Sequence, residues 1–174
     1  MKGRRFITVL AVAACSALVF AAVALATTIR GDQGDNTIPG TTGDDTIIAK
    51  GGNDTVNADA GNDRVNAGRG DDTVNGGLGD DILAGKKGTD TINGEDGNDF
   101  LAGGGGVDDL DGGTGNDFIK SRGDGNAADN ITCGDGVDTV KADKNDIVPS
   151  DGTCENVDRP GDGKTTKPAH PTHP

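Results

Sequence analysis

The apolar positions of this chain keep a nine-residue beat. Ile47, Val56, Val65, Val74, Leu83, Ile92, Leu101, Leu110 and Ile119 recur without a slip. Two residues before them come Asp45, Asp54, Asp63, Asp72, Asp81, Asp90, Asp99, Asp108 and Asp117, and two residues earlier again a glycine, from Gly43 to Gly115. One apolar residue in nine cannot make the i, i+3, i+4 stripe of a helix. Following the Gly-Asp stretch, it predicts a very short strand, x-U-x, with the aliphatic inward and its neighbours outward. The Gly-containing stretch between strands predicts a turn, because glycine alone tolerates positive φ without cost. One nonapeptide then makes one turn and one strand, and two make a coil with two facing sheets. Successive coils stack as parallel strands about 4.8 Å apart, so about six coils give a rod on the order of 30 Å long.

The predicted fold is all-β, a parallel β-solenoid. One inner column is Ile47, Val65, Leu83, Leu101 and Ile119; the facing column is Ile38, Val56, Val74, Ile92 and Leu110. A forerunner, Gly34-Asp35-Asn36-Thr37-Ile38, has Asn where the Asp should be. After Ile119 three extra residues intrude, and the pattern resumes at Asp129/Ile131 and Asp138/Val140. Thr37, Thr55, Thr73 and Thr91, beside Asn57, Asn75, Asn93 and Asp111, form polar ladders suited to a solvent face. Phe100 and Phe118 fall in one outward column with Ile82.

Composition alone points elsewhere. The chain of 174 residues has no Trp or Tyr, four Phe and 31 Gly, a profile that suggests disorder. The strict period and the recurring aliphatics oppose that reading. Residues 1–26 predict an export signal: the basic MKGRR, then an apolar run from Phe6 to Leu25, then Ala24-Leu25-Ala26 as a small-x-small cleavage site. An uncleaved anchor is the alternative, since the run is long enough to span a bilayer. Val12-Ala13-Ala14-Cys15 also resembles a lipobox, which would anchor the chain by lipid at Cys15. Cleavage removes Lys2, Arg4 and Arg5 from the 16 basic residues and none of the 29 acidic ones, leaving a charge of −16. Such a chain repels nucleic acid and anionic membranes, and its counterparts are cations. No membrane insertion is expected after cleavage, and no protein or glycan partner can be read from the sequence.

The repeated unit is similar to the glycine-rich nonapeptide GGxGxDxUx of the hemolysin-type (repeats-in-toxin) calcium-binding family. GGLGDDILA from Gly76, GGGGVDDLD from Gly103 and GGTGNDFIK from Gly112 match it in full. Elsewhere the chain departs from it: Ala49, Ala58 and Ala67 replace the first Gly, and Lys50, Asp59, Lys86 and Glu95 the second. The resemblance implies a calcium-dependent parallel β-roll over residues 27–148, in a small secreted bacterial protein.

The chemistry agrees. Calcium takes six to eight oxygens, from carboxylates and carbonyls, and a Gly-rich turn ending in Asp offers both. Turns 18 residues apart would share an ion between coils. One edge carries Asp45, Asp63, Asp81, Asp99 and Asp117, and the other Asp54, Asp72, Asp90 and Asp108. Adjacent pairs predict about seven ions, with backbone oxygen from turns containing Gly76, Gly79, Gly94, Gly97, Gly112 and Gly115. The edge with Asp81, Asp99 and Asp117 is expected to bind most tightly, because lysines stand in the turns of the other. Cys133 and Cys154 are the only cysteines beyond the leader, and an oxidising destination predicts a disulfide. They place a cap at 149–158, followed by a disordered tail at 159–174 that holds His170 and His173. No HExxH or GxSxG appears and the only histidines are in that tail, so the chain is not expected to be an enzyme. A structural or adhesive surface module is the first alternative. A hydrolase of unrecognised type using clustered carboxylates is the second.

Overall fold

The computed structural model describes residues 5–6, 26–123, 127–150 and 152–160. Most of the expected leader and tail, including Cys15, His170 and His173, lies outside the described residues. Fifteen strands, numbered in chain order, form two parallel sheets among them. The seven-stranded sheet runs β1 (Arg5–Phe6), β3 (Asn36–Thr41), β5 (Thr55–Asp59), β7 (Thr73–Leu78), β9 (Thr91–Asp96), β11 (Asp109–Thr114), β13 (Asn130–Asp135). The eight-stranded sheet runs from β15 (Asn156–Asp158) through β14 (Thr139–Lys141), β12 (Phe118–Lys120), β10 (Phe100–Gly105), β8 (Ile82–Lys87), β6 (Arg64–Arg69) and β4 (Thr46–Gly51) to β2 (Thr28–Arg30). From β1 to β14 consecutive strands alternate between sheets, so the chain winds as a β-solenoid of about seven turns.

The register follows the nine-residue beat. Val56 lies beside Val74, Val74 beside Ile92, and Leu83 beside Leu101. These side chains are completely buried between the sheets. Each such burial contributes roughly 1.5–3 kcal/mol. One aliphatic per nine ordered residues is a thin core, because fixing each backbone residue costs about 1–2 kcal/mol.

Most strands are longer than the x-U-x segment expected from sequence. Thr73–Leu78 and Ile82–Lys87 each hold six residues. The extension arises because the in–out alternation does not stop after the aliphatic: the next residue points out, and the one after it, such as Ala67 or Gly76, is again buried. The three-residue intrusion does not disturb the stack. Leu110 still pairs with Ile131 and Ile119 with Val140. The segment expected as a cap supplies β15, which continues the sheet beside β14, and a disulfide joins Cys133 to Cys154 with Cα atoms 5.4 Å apart.

On the outer face of the eight-stranded sheet, Phe100 and Phe118 stack with ring centroids 5.4 Å apart and planes within 4°. Ile82 precedes them in the column, and Ile82 and Phe100 are 39% and 37% exposed. Such a pair contributes about 0.5–1.5 kcal/mol beyond its buried area. Changing both Phe to Thr should lower the melting temperature at saturating calcium by about 3 °C or more, with sedimentation unchanged. If melting is unchanged and self-association is lost, the rings serve a contact between molecules and not the stack.

Candidate cation-binding edges

Each motif Asp lies at a corner between the sheets, and its carboxylate is buried. Its two oxygens have different fates. Oδ1 accepts a hydrogen bond from the backbone N–H of the Asp one coil earlier. Asp45 N–H donates to Asp63 at 2.6 Å, Asp63 to Asp81 at 2.7 Å, Asp81 to Asp99 at 2.8 Å and Asp99 to Asp117 at 2.8 Å. On the other edge Asn36 donates to Asp54, Asp54 to Asp72, Asp72 to Asp90 and Asp90 to Asp108, at 2.7–3.0 Å. Both ladders cross the intrusion, with Asp108 N–H bonding Asp129 and Asp117 N–H bonding Asp138. The counting from sequence did not place Asp129 and Asp138 among the site residues, because three extra residues break the count of nine but not the spatial register.

The second oxygen, Oδ2, has no hydrogen-bond partner in Asp54, Asp72 and Asp90 on one edge, or in Asp63, Asp81, Asp99, Asp117 and Asp138 on the other. A buried, unpaired carboxylate oxygen is costly. Burial accordingly pushes Asp81 and Asp90 up to about 7 and Asp54, Asp63, Asp99 and Asp138 to about 6. The ladder N–H bond opposes that rise in each, and neighbouring carboxylates add to it, Asp99 on Asp81 and Asp108 on Asp90 among them. Asp72 and Asp117 are raised as well, with burial again the leading cause.

The two ends of each ladder are closed by the protein itself. Asp45 has both oxygens engaged: Oδ1 by the N–H and hydroxyl of Thr27, Oδ2 by those of Thr41. Asn36 Oδ1 accepts from Asp32 N–H at 2.8 Å. At the far end Asp146 accepts from Asp129 N–H, Asp143 N–H and Ser121 Oγ, and Glu155 accepts from Asp138 N–H. Unpaired oxygens therefore belong to the interior coils.

The two motif glycines that precede the turn meet different demands. The second has positive φ, and where this chain departs from glycine the residue is held there regardless: Lys50 at 83°, Asp59 at 82°, Lys86 at 90° and Glu95 at 74°. The first is not at positive φ and is small for space. A methyl on Gly76 would collide with Asp81 Oδ2 and the Gly94 carbonyl. On Gly94 it would meet Asp99 Oδ2 and the Gly112 carbonyl, and on Gly112, Asp117 Oδ2 and the Cys133 carbonyl. A carboxylate oxygen and a carbonyl of the next coil thus converge beside each of these Cα atoms. Gly79, Gly97 and Gly115 instead have positive φ in the turn itself. Among the described residues no three His, Cys, Asp or Glu side chains converge as a metal site. An ion held here must take backbone carbonyls beside the carboxylate, which suits a hard cation such as calcium.

A second ladder runs outside the first in the opposite sense. Asn62 N–H donates to Asp44, Asp80 N–H to Asn62, Asn98 N–H to Asp80 and Asn116 N–H to Asn98, at 2.8–3.0 Å. Asp and neutral Asn alternate over its first four positions, which keeps like charges apart along the edge.

Against known families, the RTX calcium-binding nonapeptide repeat (four copies) matches residues 26–56, 39–74, 48–83, 57–92 and 85–119. No curated protein matches the chain.

Proposed function

Since the chain belongs to the RTX calcium-binding nonapeptide repeat family, we propose that it is an exported protein that folds around calcium ions shared between consecutive coils. The columns of buried Asp Oδ2 atoms without a protein partner carry this reading. Calcium would be held by that oxygen and by carbonyls of adjacent turns, and it supplies positive charge where stacked carboxylates would otherwise repel. The motif columns Asp54, Asp72 and Asp90, and Asp63, Asp81, Asp99 and Asp117, are the carboxylates on offer, with Asp108 continuing the first by its place in the ladder. Adjacent pairs within these columns number three on each edge, so about six ions is the most this arrangement holds. Asp45, whose oxygens are engaged by Thr27 and Thr41, closes its ladder and leaves no carboxylate oxygen for an ion. Export by the 1–26 leader accords with the disulfide between Cys133 and Cys154. The role is binding and structural and not enzymatic.

The edge with Asp81, Asp99 and Asp117 is the stronger one, since each of their glycine partners sets a next-coil carbonyl beside the free oxygen. Asp99→Ala should weaken calcium binding in calorimetry by about tenfold or more, equivalent to about 1.4 kcal/mol, and by more than Asp54→Ala. Equal losses would remove the ranking, and no calorimetric binding by the parent protein would remove the function.

A further inference from the structure

The residue five positions before each Asp divides the interior coils into two groups. Gly76, Gly94 and Gly112 leave the carboxylate oxygen and the next coil's carbonyl facing the same space, and Gly85 and Gly103 stand at the same position, where a methyl would collide with Oδ2 of Asp90 and Asp108. Ala49, Ala58 and Ala67 occupy the equivalent position before Asp54, Asp63 and Asp72, and all three are completely buried. Their methyl groups therefore lie inside the corner and not in solvent. At the equivalent Gly76, Gly94 and Gly112 a methyl would meet both oxygens that a cation would bridge, and it would offer no lone pair in return. The space falls while the donor oxygens stay the same.

We propose that calcium occupancy is selected corner by corner by this residue: the Gly corners at Asp81, Asp90, Asp99, Asp108 and Asp117 bind the ion, and the Ala corners at Asp54, Asp63 and Asp72 exclude it. This deepens the calcium reading above and rests on it, and it lowers the ion count below one for every adjacent pair. The solenoid is then graded along its axis. Its earlier coils are packed by alanine methyls, and its later coils are tied by ions. The Lys50 ammonium, which donates to the Gly31 carbonyl at 2.6 Å, brings a positive charge of the protein's own to the first corner of that earlier region.

Native mass spectrometry of the full chain, with calcium alone as the probe, counts ions directly. Ala58→Gly should add one calcium ion to the parent count, and Ala58→Gly combined with Asp63→Asn should lose that added ion. Gly94→Ala should remove one. Because an added methyl at Gly94 meets a backbone carbonyl, that variant can fail to fold; Ala58→Gly introduces no collision and decides the matter alone. An unchanged count in Ala58→Gly, or a gain that survives Asp63→Asn, overturns the proposal while leaving calcium binding intact. A parent protein that carries no ion at all overturns the calcium reading itself.

Discussion

With excess chelator at pH 7.5, the protein should lose its sheet signal in circular dichroism and regain it when calcium is restored. The expectation follows from the balance of forces along the rod. Favourable terms are one buried aliphatic per nonapeptide and the parallel ladders between coils. Against them stand the ordering of a chain with 31 glycines and two columns of buried carboxylates. Two carboxylates about 5 Å apart repel by roughly 3 kcal/mol at an effective dielectric of 20, and each interior Asp has such a neighbour in the coil on either side. An ion that binds only the folded chain stabilises it by about 2.7 kcal/mol at a hundred times its dissociation constant. Several ions summed along two edges match the whole stability of an ordinary domain, about 5–15 kcal/mol. A spectrum unaffected by chelator at this pH would show that the thin core suffices.

Acid should partly replace calcium. In the metal-free chain Asp81 and Asp90 are raised to about 7, and Asp54, Asp63, Asp99 and Asp138 to about 6, against an ordinary value of 3.8. The folded chain thus binds protons more tightly than the unfolded one. Stability from these groups is fully present below pH 3.8 and is lost as pH rises through 6 to 7. Each tenfold gain in proton affinity on folding corresponds to about 1.4 kcal/mol, so several such carboxylates together make a large effect. The chelated protein should therefore regain strand signal between pH 7.5 and 5. The calcium-loaded protein should move the other way, losing affinity as protons compete for Oδ2. A chelated sample that stays equally unfolded at pH 5 and pH 7.5 would contradict the burial of these groups.

The nine-residue beat made the winding, both inner columns and the two Asp edges legible in the sequence. That held because β-pairing at a fixed interval is a local rule repeated: the same short segment meets its own copy one coil later. The outward column of Ile82, Phe100 and Phe118 was legible for the same reason. Strand length was misjudged, since a small residue such as Ala67 or Gly76 carries little apolar signal and yet is buried as part of the strand.

What the sequence by itself determined is periodic: which residues face inward, which stand at corners, and which chemistry each corner offers. What only the tertiary structure decided is how the atoms of one residue are divided among neighbours. Asp45 and Asp81 occupy the same place in the repeat, yet Thr41 engages the second oxygen of Asp45 while that of Asp81 has no protein partner. Asp138, displaced from the count by three residues, returns to the ladder because the strands on either side of the extra residues keep their register. The first glycine of the motif likewise looks like a turn residue in sequence. Its backbone has no positive φ; it is small because a carboxylate and a carbonyl from another coil converge on it, and that proximity exists only once the coils have stacked.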